Sequence, residues 1–267
     1  PMPESFPAGP VGRLRSGFRA RWAGRAMRRA RAIATGRSYH LMQRGHGGHA
    51  FCLDAQDRQV YLDLFLEAAQ GCGLLVHAWS CTDREAHWLV TPQRASAVAE
   101  VMQQLGRRYV PMFNRRWSRS GTPFDGRYRS YWVEADVFGL SVARYIDGQA
   151  QRQGLVGLAV DWPWSSAGVW AGQRPPVGSP VRELASYWRL GNTPFEREQA
   201  YHRMLQESLE EGLLADVHRG LAQGRPLLSA QGWAGCAPGF VQQWALRPRG
   251  RPPKTPQASR ALPDSVD

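Results

Sequence analysis

Hydrophobic and polar positions form their clearest pattern between Leu74 and Pro92, LLVHAWSCTDREAHWLVTP. The apolar and aromatic residues of Leu74–Cys81 predict one short strand, and an extended pattern resumes over Glu85–Thr91. The polar residues Thr82–Arg84 between them predict a turn. This stretch therefore predicts two neighbouring strands joined by a tight connection.

The second of these strands carries a distinctive pair of side chains. Residues two apart on a strand point to the same face, so Glu85 and His87 project side by side. A carboxylate beside an imidazole on a rigid strand can hold a divalent metal ion or position a proton donor. A strand whose solvent face happens to carry Glu and His gives the same pattern, so both interpretations stay open at this point.

The periodicity along the chain predicts strand, helix, strand, strand, helix, strand and helix in that order. Pro111 is expected to kink or divide the second helix, because proline interrupts the helical hydrogen bonds. The order predicts an α+β fold with a ferredoxin-like split βαβ antiparallel sheet and helices packed on one face. The further predicted strands are Ser38–Arg44 and Tyr128–Val133, and the predicted helices are Asp54–Cys72, Ser96–Arg116 and Ala135–Arg152.

The third predicted helix places a tyrosine and a glutamine on one face. Phe138, Val142, Tyr145 and Gln149 recur at spacings of four, three and four residues. Residues at this spacing share one side of a helix. On this pattern alone, Tyr145 is a core residue.

Composition divides the chain into four predicted parts. Gly172–Pro180 is rich in Pro and Gly and predicts a linker. Beyond it, periodicity predicts helices at Thr193–Glu207, Glu210–Gln223 and Pro238–Trp244. The predicted parts are a basic flexible arm (1–33), the α+β domain (34–171), a helical C-terminal region (178–245) and a basic Pro-rich tail (246–267).

The chain is strongly basic, with a formal net charge of +12, and Lys254 is the only lysine among its 34 basic residues. Guanidinium forks match phosphate oxygens, so this composition predicts a polyanionic partner. No apolar run reaches the roughly 18 residues of a membrane span, and the four cysteines are too scattered for a zinc site or a disulfide framework. We therefore expect reduced thiols, no membrane partner and a cytoplasmic location, although the Arg-rich arm also suits a transit peptide.

Arginines and aromatic residues are interleaved between residues 107 and 129. Such a mixture is typical of a nucleic-acid surface, where guanidinium contacts phosphate and rings stack on unpaired bases. Core aromatics flanked by solvated arginines give the same composition. In the tail, the sequence RGRP suits a narrow A·T minor groove. The predicted DNA-binding residues are Arg44, Arg107, Arg108, Arg115, Arg116, Arg119, Arg127, Arg129, Arg249 and Arg251.

Six separated blocks carry a resemblance to a known family. They are YHLMQRG (39–45), FNRRWSRSGTPFDGRYRS (113–130), RYI (144–146), GLV (154–156), DWPWSS (161–166) and YWRLGNTPFERE (187–198). In this order they resemble the REP-associated tyrosine transposases, within the wider bacterial group of single-tyrosine HUH insertion-sequence transposases. The resemblance covers roughly Ile33 to Trp170, and the helical region through Lys254 resembles the C-terminal extension of these proteins.

The resemblance implies a metal-dependent single-strand DNA endonuclease and transferase. In the family, a metal ion held by two histidines polarises the scissile phosphate, and a helix-borne tyrosine attacks it to give a phosphotyrosine linkage and a free 3′-hydroxyl. Tyr145 matches that tyrosine, His87 the second histidine and Gln149 the polar metal ligand. Glu85 stands where the family has its first histidine, and as an oxygen ligand it suits Mg²⁺ or Mn²⁺.

Glu85 leaves two functions open, because its charge faces an incoming phosphate. The first is cleavage and rejoining of single-stranded or hairpin DNA at repetitive extragenic palindromes. The second is a catalytically lapsed descendant that only binds such DNA, as a regulator or an architectural protein. Asp83 and Arg84 also replace the family's Pro-Asn pair. A third hypothesis, an RNA-binding ferredoxin-like module, fits the basic and aromatic surface but not the six blocks.

Overall fold

Four strands form one antiparallel sheet in the computed structural model, which describes residues 33–175 and 177–244. The strands are β1 (Ser38–Arg44), β2 (Leu74–Cys81), β3 (Glu85–Pro92) and β4 (Arg129–Val133). They lie in the order β2-β3-β1-β4, and each neighbouring pair is antiparallel. The predicted α+β fold class is confirmed, and the ends of the first three strands agree with the prediction to within one residue.

Helices connect and follow the strands, and the first helix has a clear cap at each end. Asp54 accepts a hydrogen bond from the Asp57 N–H at the start of the first helix, and Gly73 ends it at a φ of 68°. The helices are α1 (Ala55–Cys72), α2 (Ala97–Arg116), α3 (Ala135–Asp147), α4 (Gln149–Arg152), α5 (Ala167–Trp170), α6 (Ala185–Trp188), α7 (Pro194–Gln206), α8 (Glu211–Gln223), α9 (Ala230–Ala234) and α10 (Pro238–Trp244), with 3₁₀ turns at His46–Gly48 and Ala159–Asp161.

The two faces of the sheet pack against different helices. Trp88 of β3 projects towards α1 and α2, and its ring stacks on Phe65 of α1 with 4.3 Å between the centroids. The next residue, Leu89, projects to the opposite face, where α3, α7 and α8 pack. We call these the α1–α2 face and the α3 face. The prediction of helices on one face is therefore corrected: apolar side chains occupy both faces of the strands, so both faces need a helical cover.

Two predicted helices differ from their expected form. α2 continues through Pro111 to Arg116, so the proline does not divide it. The helix expected over residues 135–152 ends at Asp147, and Gly148 separates it from α4. Apolar spacing does not reveal this break, because the residues on either side of it keep facing the sheet. The helices predicted beyond the linker are α7, α8 and α10, whereas the pattern does not predict the short α6 and α9.

The C-terminal helices pack against the sheet. Tyr201 of α7 and Leu221 of α8 share a hydrophobic core with Val142 of α3. Gly220 of α8 lies so close to Tyr131 of β4 that a Cβ there would come within 2.8 Å of the ring. Glycine at this position therefore lets α8 approach the sheet directly.

No helix within the described ranges is both long and apolar enough to cross a membrane. All of the predicted basic arm except Ile33, and the whole of the predicted basic tail with Arg249 and Arg251, lie outside the described residues. The division into an arm, two folded regions and a tail stays a prediction.

Candidate active site

Glu85 and His87 meet at the start of β3 on the α3 face. Glu85 Oε2 lies 3.5 Å from His87 Nε2. The pairing of β1 with β3 sets Arg44 opposite Glu85, and Arg44 Nε lies 3.5 Å from Glu85 Oε1. The contact with His87, helped by the nearby charges of Arg44 and Arg129, holds the pKa of Glu85 below its usual value against the effect of burial. Glu85 is therefore an ionised carboxylate at neutral pH.

Gln149 bridges this carboxylate to an arginine. Its Nε2 donates to Glu85 Oε2 at 3.0 Å, and its Oε1 accepts from Arg152 Nη2 at 2.7 Å. A carboxylate needs a donor and a guanidinium needs an acceptor, so the two partners together orient the amide. Gly148 lets Arg152 fold back, since a Cβ at Gly148 would lie 2.8 Å from Arg152 Nη1. The sequence-predicted set of Glu85, His87 and Gln149 is thus brought together.

Tyr145 lies on α3 beside these residues, and its side chain is buried. The Arg152 guanidinium covers the ring at 4.2 Å from the centroid and also donates to the Tyr145 backbone carbonyl. The ring centroids of His40, His87 and His218 lie 5.8, 6.1 and 6.1 Å away. Burial raises the pKa of Tyr145 more than Arg152 lowers it. The phenol therefore keeps its proton at neutral pH.

A second histidine, which the sequence pattern does not single out, lies within hydrogen-bonding distance of His87. His40 of β1 is fully buried; its Nε2 lies 2.9 Å from His87 Nδ1, and its Nδ1 lies 2.9 Å from the Tyr131 hydroxyl. Burial lowers the pKa of both imidazoles below 6.5, and for His40 well below it, so both are neutral at neutral pH. The signal was the register between strands, which sets His40 opposite Tyr131 on β4 and two residue pairs away from His87 on β3. Local spacing along one strand does not contain that information.

The predicted ligand residues and Tyr145 line a cleft of about 320 Å³ on the α3 face. Arg44, Arg129 and Arg152 border it, and α8 supplies one wall. Three guanidinium groups around one cleft favour an anion, and the planar fork of each suits phosphate oxygens. Arg44 and Arg129 are among the predicted DNA-binding residues. Arg152 is not, because nothing in its local sequence distinguishes it from an ordinary charged residue at a helix end.

The predicted arginines of α2 lie away from this cleft, because α2 covers the opposite face of the sheet. Arg116 Nη1 lies 2.5 Å from Oδ1 of the buried Asp57 and donates to Asp54 Oδ1 at 2.8 Å. Arg108 pairs with Glu67 at 2.8 Å. Arg116 and Arg108 therefore join α2 to α1, a structural role that their composition did not reveal.

The aromatic residues interleaved with those arginines belong largely to the core. Tyr109, Phe113 and Phe124 are buried on the α1–α2 face, and the half-buried Trp117 donates its Nε1–H to Asp57 at 2.9 Å. Of the two interpretations of this block, core packing therefore holds for these rings. All seven predicted arginines of the block are exposed: Arg107, Arg108, Arg115, Arg116, Arg119, Arg127 and Arg129.

The residues just before Glu85 have structural roles. Asp83 forms an ion pair with Arg58 of α1, and its carbonyl accepts a hydrogen bond from the Phe51 N–H at 2.9 Å. These contacts hold the β2–β3 turn to the segment between β1 and α1. They fix the point from which Glu85 projects into the cleft.

Among residues 33–175 and 177–244, no three His, Cys, Asp or Glu side chains form a group that could hold a metal ion. The predicted set instead combines a carboxylate, an imidazole and an amide, which suit Mg²⁺ or Mn²⁺. His87 Nε2 is buried without a hydrogen bond and faces Glu85 Oε2 across 3.5 Å. This unpaired nitrogen beside a carboxylate fits a divalent cation. Gln149 could join such a set only after its amide turned, because its oxygen faces Arg152.

Two solved structures are similar to this chain at low sequence identity. The fold is similar to a solved structure of a REP-associated tyrosine transposase bound to a REP hairpin. That likeness has 14% identity and a TM-score of 0.45, and it covers 60% of this chain and 96% of the other. A "putative transposase" of Deinococcus radiodurans R1 is also similar, at 21% identity and a TM-score of 0.33, over 46% of this chain and 98% of the other.

The first of these proteins belongs to the family that the six sequence blocks resemble. No protein-family model matches the chain. No curated protein matches it either. At such identities and TM-scores, the assignment of a function depends on the residues themselves.

Proposed function

We propose that the protein binds single-stranded or hairpin DNA of the REP-palindrome type in the cleft on the α3 face and cleaves it through Tyr145. One observation carries the proposal: Tyr145 lines an arginine-bordered cleft together with Glu85, His87 and Gln149. A nucleophile, a set of cation ligands and phosphate-binding groups therefore share one cavity of about 320 Å³. A bacterial, cytoplasmic setting is part of the same proposal.

The proposed reaction transfers a phosphoryl group to tyrosine. Tyr145 Oη forms a bond to phosphorus and the bond from phosphorus to the 3′ oxygen breaks, so the 5′ side stays attached to the protein. The phenol gives up its proton in this step, and the departing 3′ oxygen gains one. Arg152, which lies against the Tyr145 ring, and Arg129 hold the negative phosphate oxygens. Rejoining is the same exchange in reverse, with a 3′-hydroxyl as the attacking group.

Glu85 and His87, with Gln149 after its amide turns, would hold Mg²⁺ or Mn²⁺. The bound cation would stabilise negative charge on the phosphate oxygens. Glu85 is the ionised member of the set and supplies its only negative charge.

Formation of a covalent protein–DNA adduct tests this proposal. A hairpin with a single-stranded flank and Mn²⁺ should give wild type an adduct that resists denaturing electrophoresis. Tyr145→Phe should give none while binding the hairpin with nearly unchanged affinity, because only the attacking oxygen is lost. Tyr187→Phe is a matched control: Tyr187 is also buried, and its hydroxyl donates to the Trp170 carbonyl. An adduct that survives Tyr145→Phe would contradict the assignment of the nucleophile.

A second candidate function is DNA binding without cleavage. It is favoured by the contacts of Glu85, whose two oxygens already face Arg44 and the Gln149 amide. If the site has lapsed in this way, wild type should form no adduct with either cation, and Glu85→His should restore partial cleavage. If the site is active, Glu85→Ala should abolish cleavage, because a ligand is lost. Cleavage that is unaffected by Glu85→Ala and His87→Ala would place the chemistry elsewhere and contradict both candidates.

DNA binding itself has a separate test in its salt dependence. If about six to ten phosphates are contacted, the affinity should fall roughly 10³- to 10⁵-fold between about 50 and 200 mM salt. A nearly flat salt response, or no preference for a flanked hairpin over duplex DNA, would contradict the proposed partner.

A further inference from the structure

Three buried polar side chains form an unbroken line behind the candidate site. Tyr131 of β4 is 2% exposed, and His40 of β1 and His87 of β3 are fully buried. Tyr131 Oη lies 2.9 Å from His40 Nδ1, and His40 Nε2 lies 2.9 Å from His87 Nδ1. The line crosses three neighbouring strands and ends at His87 Nε2, which faces Glu85 Oε2 across 3.5 Å.

Counting donors and acceptors gives this line a direction. Within the part of the chain that the structure describes, His40 is the only hydrogen-bond partner of the Tyr131 hydroxyl. If Tyr131 donates to His40, then His40 Nε2–H donates to His87 Nδ1, and His87 Nε2–H faces the Glu85 carboxylate. Every proton then points at an acceptor.

The opposite direction is unfavourable at both ends. His87 Nδ1–H would donate to His40 and His40 Nδ1–H to Tyr131, so the buried hydroxyl proton of Tyr131 would have no acceptor. The lone pair of His87 Nε2 would face the negative Glu85 carboxylate. A buried donor without an acceptor is costly, and a lone pair beside a carboxylate is repulsive.

We propose that Tyr131, His40 and His87 form a directional hydrogen-bond chain that ends on Glu85, and that Tyr131 thereby weakens the binding of a divalent cation to His87. A cation needs the lone pair of His87 Nε2, so its binding requires all three protons to shift to the unfavourable direction. This inference rests on the proposed cation site of Glu85 and His87. Tyr131 and His40 are positioning residues, since they act only through His87.

Nitrogen NMR of the histidine side chains tests the direction of the chain. In cation-free protein labelled with ¹⁵N-histidine, His40 and His87 should both carry their proton on Nε2. A proton on Nδ1 of either ring would overturn the proposal. The measurement needs neither DNA nor cleavage, so its outcome is independent of whether the proposed function holds.

Calorimetric titration with Mn²⁺ tests the effect on the cation. Tyr131→Phe keeps the ring but removes the hydroxyl, so the favoured direction now leaves the lone pair of His40 Nδ1 without a donor and loses much of its advantage over the reversed direction. The affinity for Mn²⁺ should rise roughly 5- to 100-fold, the equivalent of one buried acceptor left without a donor. Tyr109→Phe is the matched control, because that fully buried hydroxyl donates to the Phe51 carbonyl on the other face. It should leave the affinity unchanged.

The sign of this effect separates the proposal from a merely structural role. A tyrosine that only supported the fold would weaken cation binding when it is removed. Unchanged or weaker binding by Tyr131→Phe, or a failure of both wild type and Tyr131→Phe to bind Mn²⁺, would overturn the link to cation affinity. A positive result here combined with no covalent adduct would instead contradict only the proposed cleavage.

Discussion

The two faces of the sheet differ in what they bury. The α1–α2 face is filled by aromatic and aliphatic side chains, among them the stacked Phe65 and Trp88. On the same strand, one residue earlier, His87 points to the α3 face and joins a buried polar chain beside an arginine-bordered cleft. Because side chains alternate along a strand, one backbone serves both faces. Packing on the first face therefore fixes the position of the polar groups on the second. Substitutions on the packed face should mainly lower stability, whereas substitutions at the cleft should mainly lower DNA affinity.

The largest expected effect is on the packed face. Trp88→Ala removes the ring that stacks on Phe65 and leaves a cavity in a fully buried site, so the free energy of unfolding should fall by about 3–5 kcal/mol. Urea unfolding monitored by circular dichroism measures this fall in the free energy of unfolding. A loss below about 1 kcal/mol would mean that the face collapses around the gap and does not act as a rigid support.

The next effect concerns a buried carboxyl at the end of α3. Asp147 is fully buried and accepts hydrogen bonds from Ser166 and from Tyr201, the latter at 2.8 Å. Burial raises its pKa from 3.8 to about 7. Between about pH 4 and 7 the folded protein therefore holds a proton that the unfolded chain has lost, so rising pH lowers the free energy of unfolding, by up to about 1.4 kcal/mol per unit.

Asp147→Asn tests this linkage, because asparagine stays neutral at every pH in the window. Compared with wild type, the variant should gain stability as the pH rises from about 4 to 7, and the difference should level off above the folded pKa. Chemical unfolding of both proteins across this range gives the difference directly. Two parallel stability curves would show that the carboxyl ionises as freely as in the unfolded chain.

A smaller effect is expected for an arginine at the cleft on the α3 face. Arg129→Ala should lower the affinity for a flanked hairpin by roughly 5- to 10-fold and reduce the salt slope by about 1, as expected for one lost phosphate contact. The exposed Arg129 should contribute less than about 0.5 kcal/mol to the free energy of unfolding. Fluorescence anisotropy at several salt concentrations measures both binding quantities. Unchanged affinity would show that DNA does not contact Arg129 in this cleft.

The smallest effect is expected for the matched arginine on the other side of the sheet. Arg115 at the end of α2 is exposed like Arg129, and its substitution by alanine should change the hairpin affinity less than about twofold. The same anisotropy titration applies. A loss as large as that of Arg129→Ala would show that DNA also follows α2, and the two faces would no longer differ in binding.

Much of this fold was predictable from local patterns. The ends of β1, β2 and β3 follow from alternation bounded by Gly and polar residues, and the start of α1 from the cap at Asp54. The end of α3 at Asp147 was not predictable in this way, because Gly148 breaks the helix without disturbing the apolar spacing. Cover by helices on both faces was missed as well, since it depends on the packing of segments far apart in the chain.

In the candidate site, too, some residues could be predicted from the sequence and others only from the packing of distant segments. Glu85 and His87 were found because they are two residues apart on one strand, whereas the family resemblance singled out Tyr145 and Gln149. His40 and Tyr131 were missed because they meet only through the pairing of strands. Arg108 and Arg116 had the composition of a nucleic-acid surface, yet their partners on α1 could be identified only from the helix packing.

The close contact of Gly220 with Tyr131 has a consequence for the newly made protein. A chain leaves the ribosome from its amino end, so the sheet and Tyr145 emerge before the wall of the cleft on α8 has been synthesised. Every predicted catalytic and ligand residue precedes Glu211, the first residue of that helix. Translation that stops before this point would therefore release a product with the side chains of the candidate site but without the wall that encloses them.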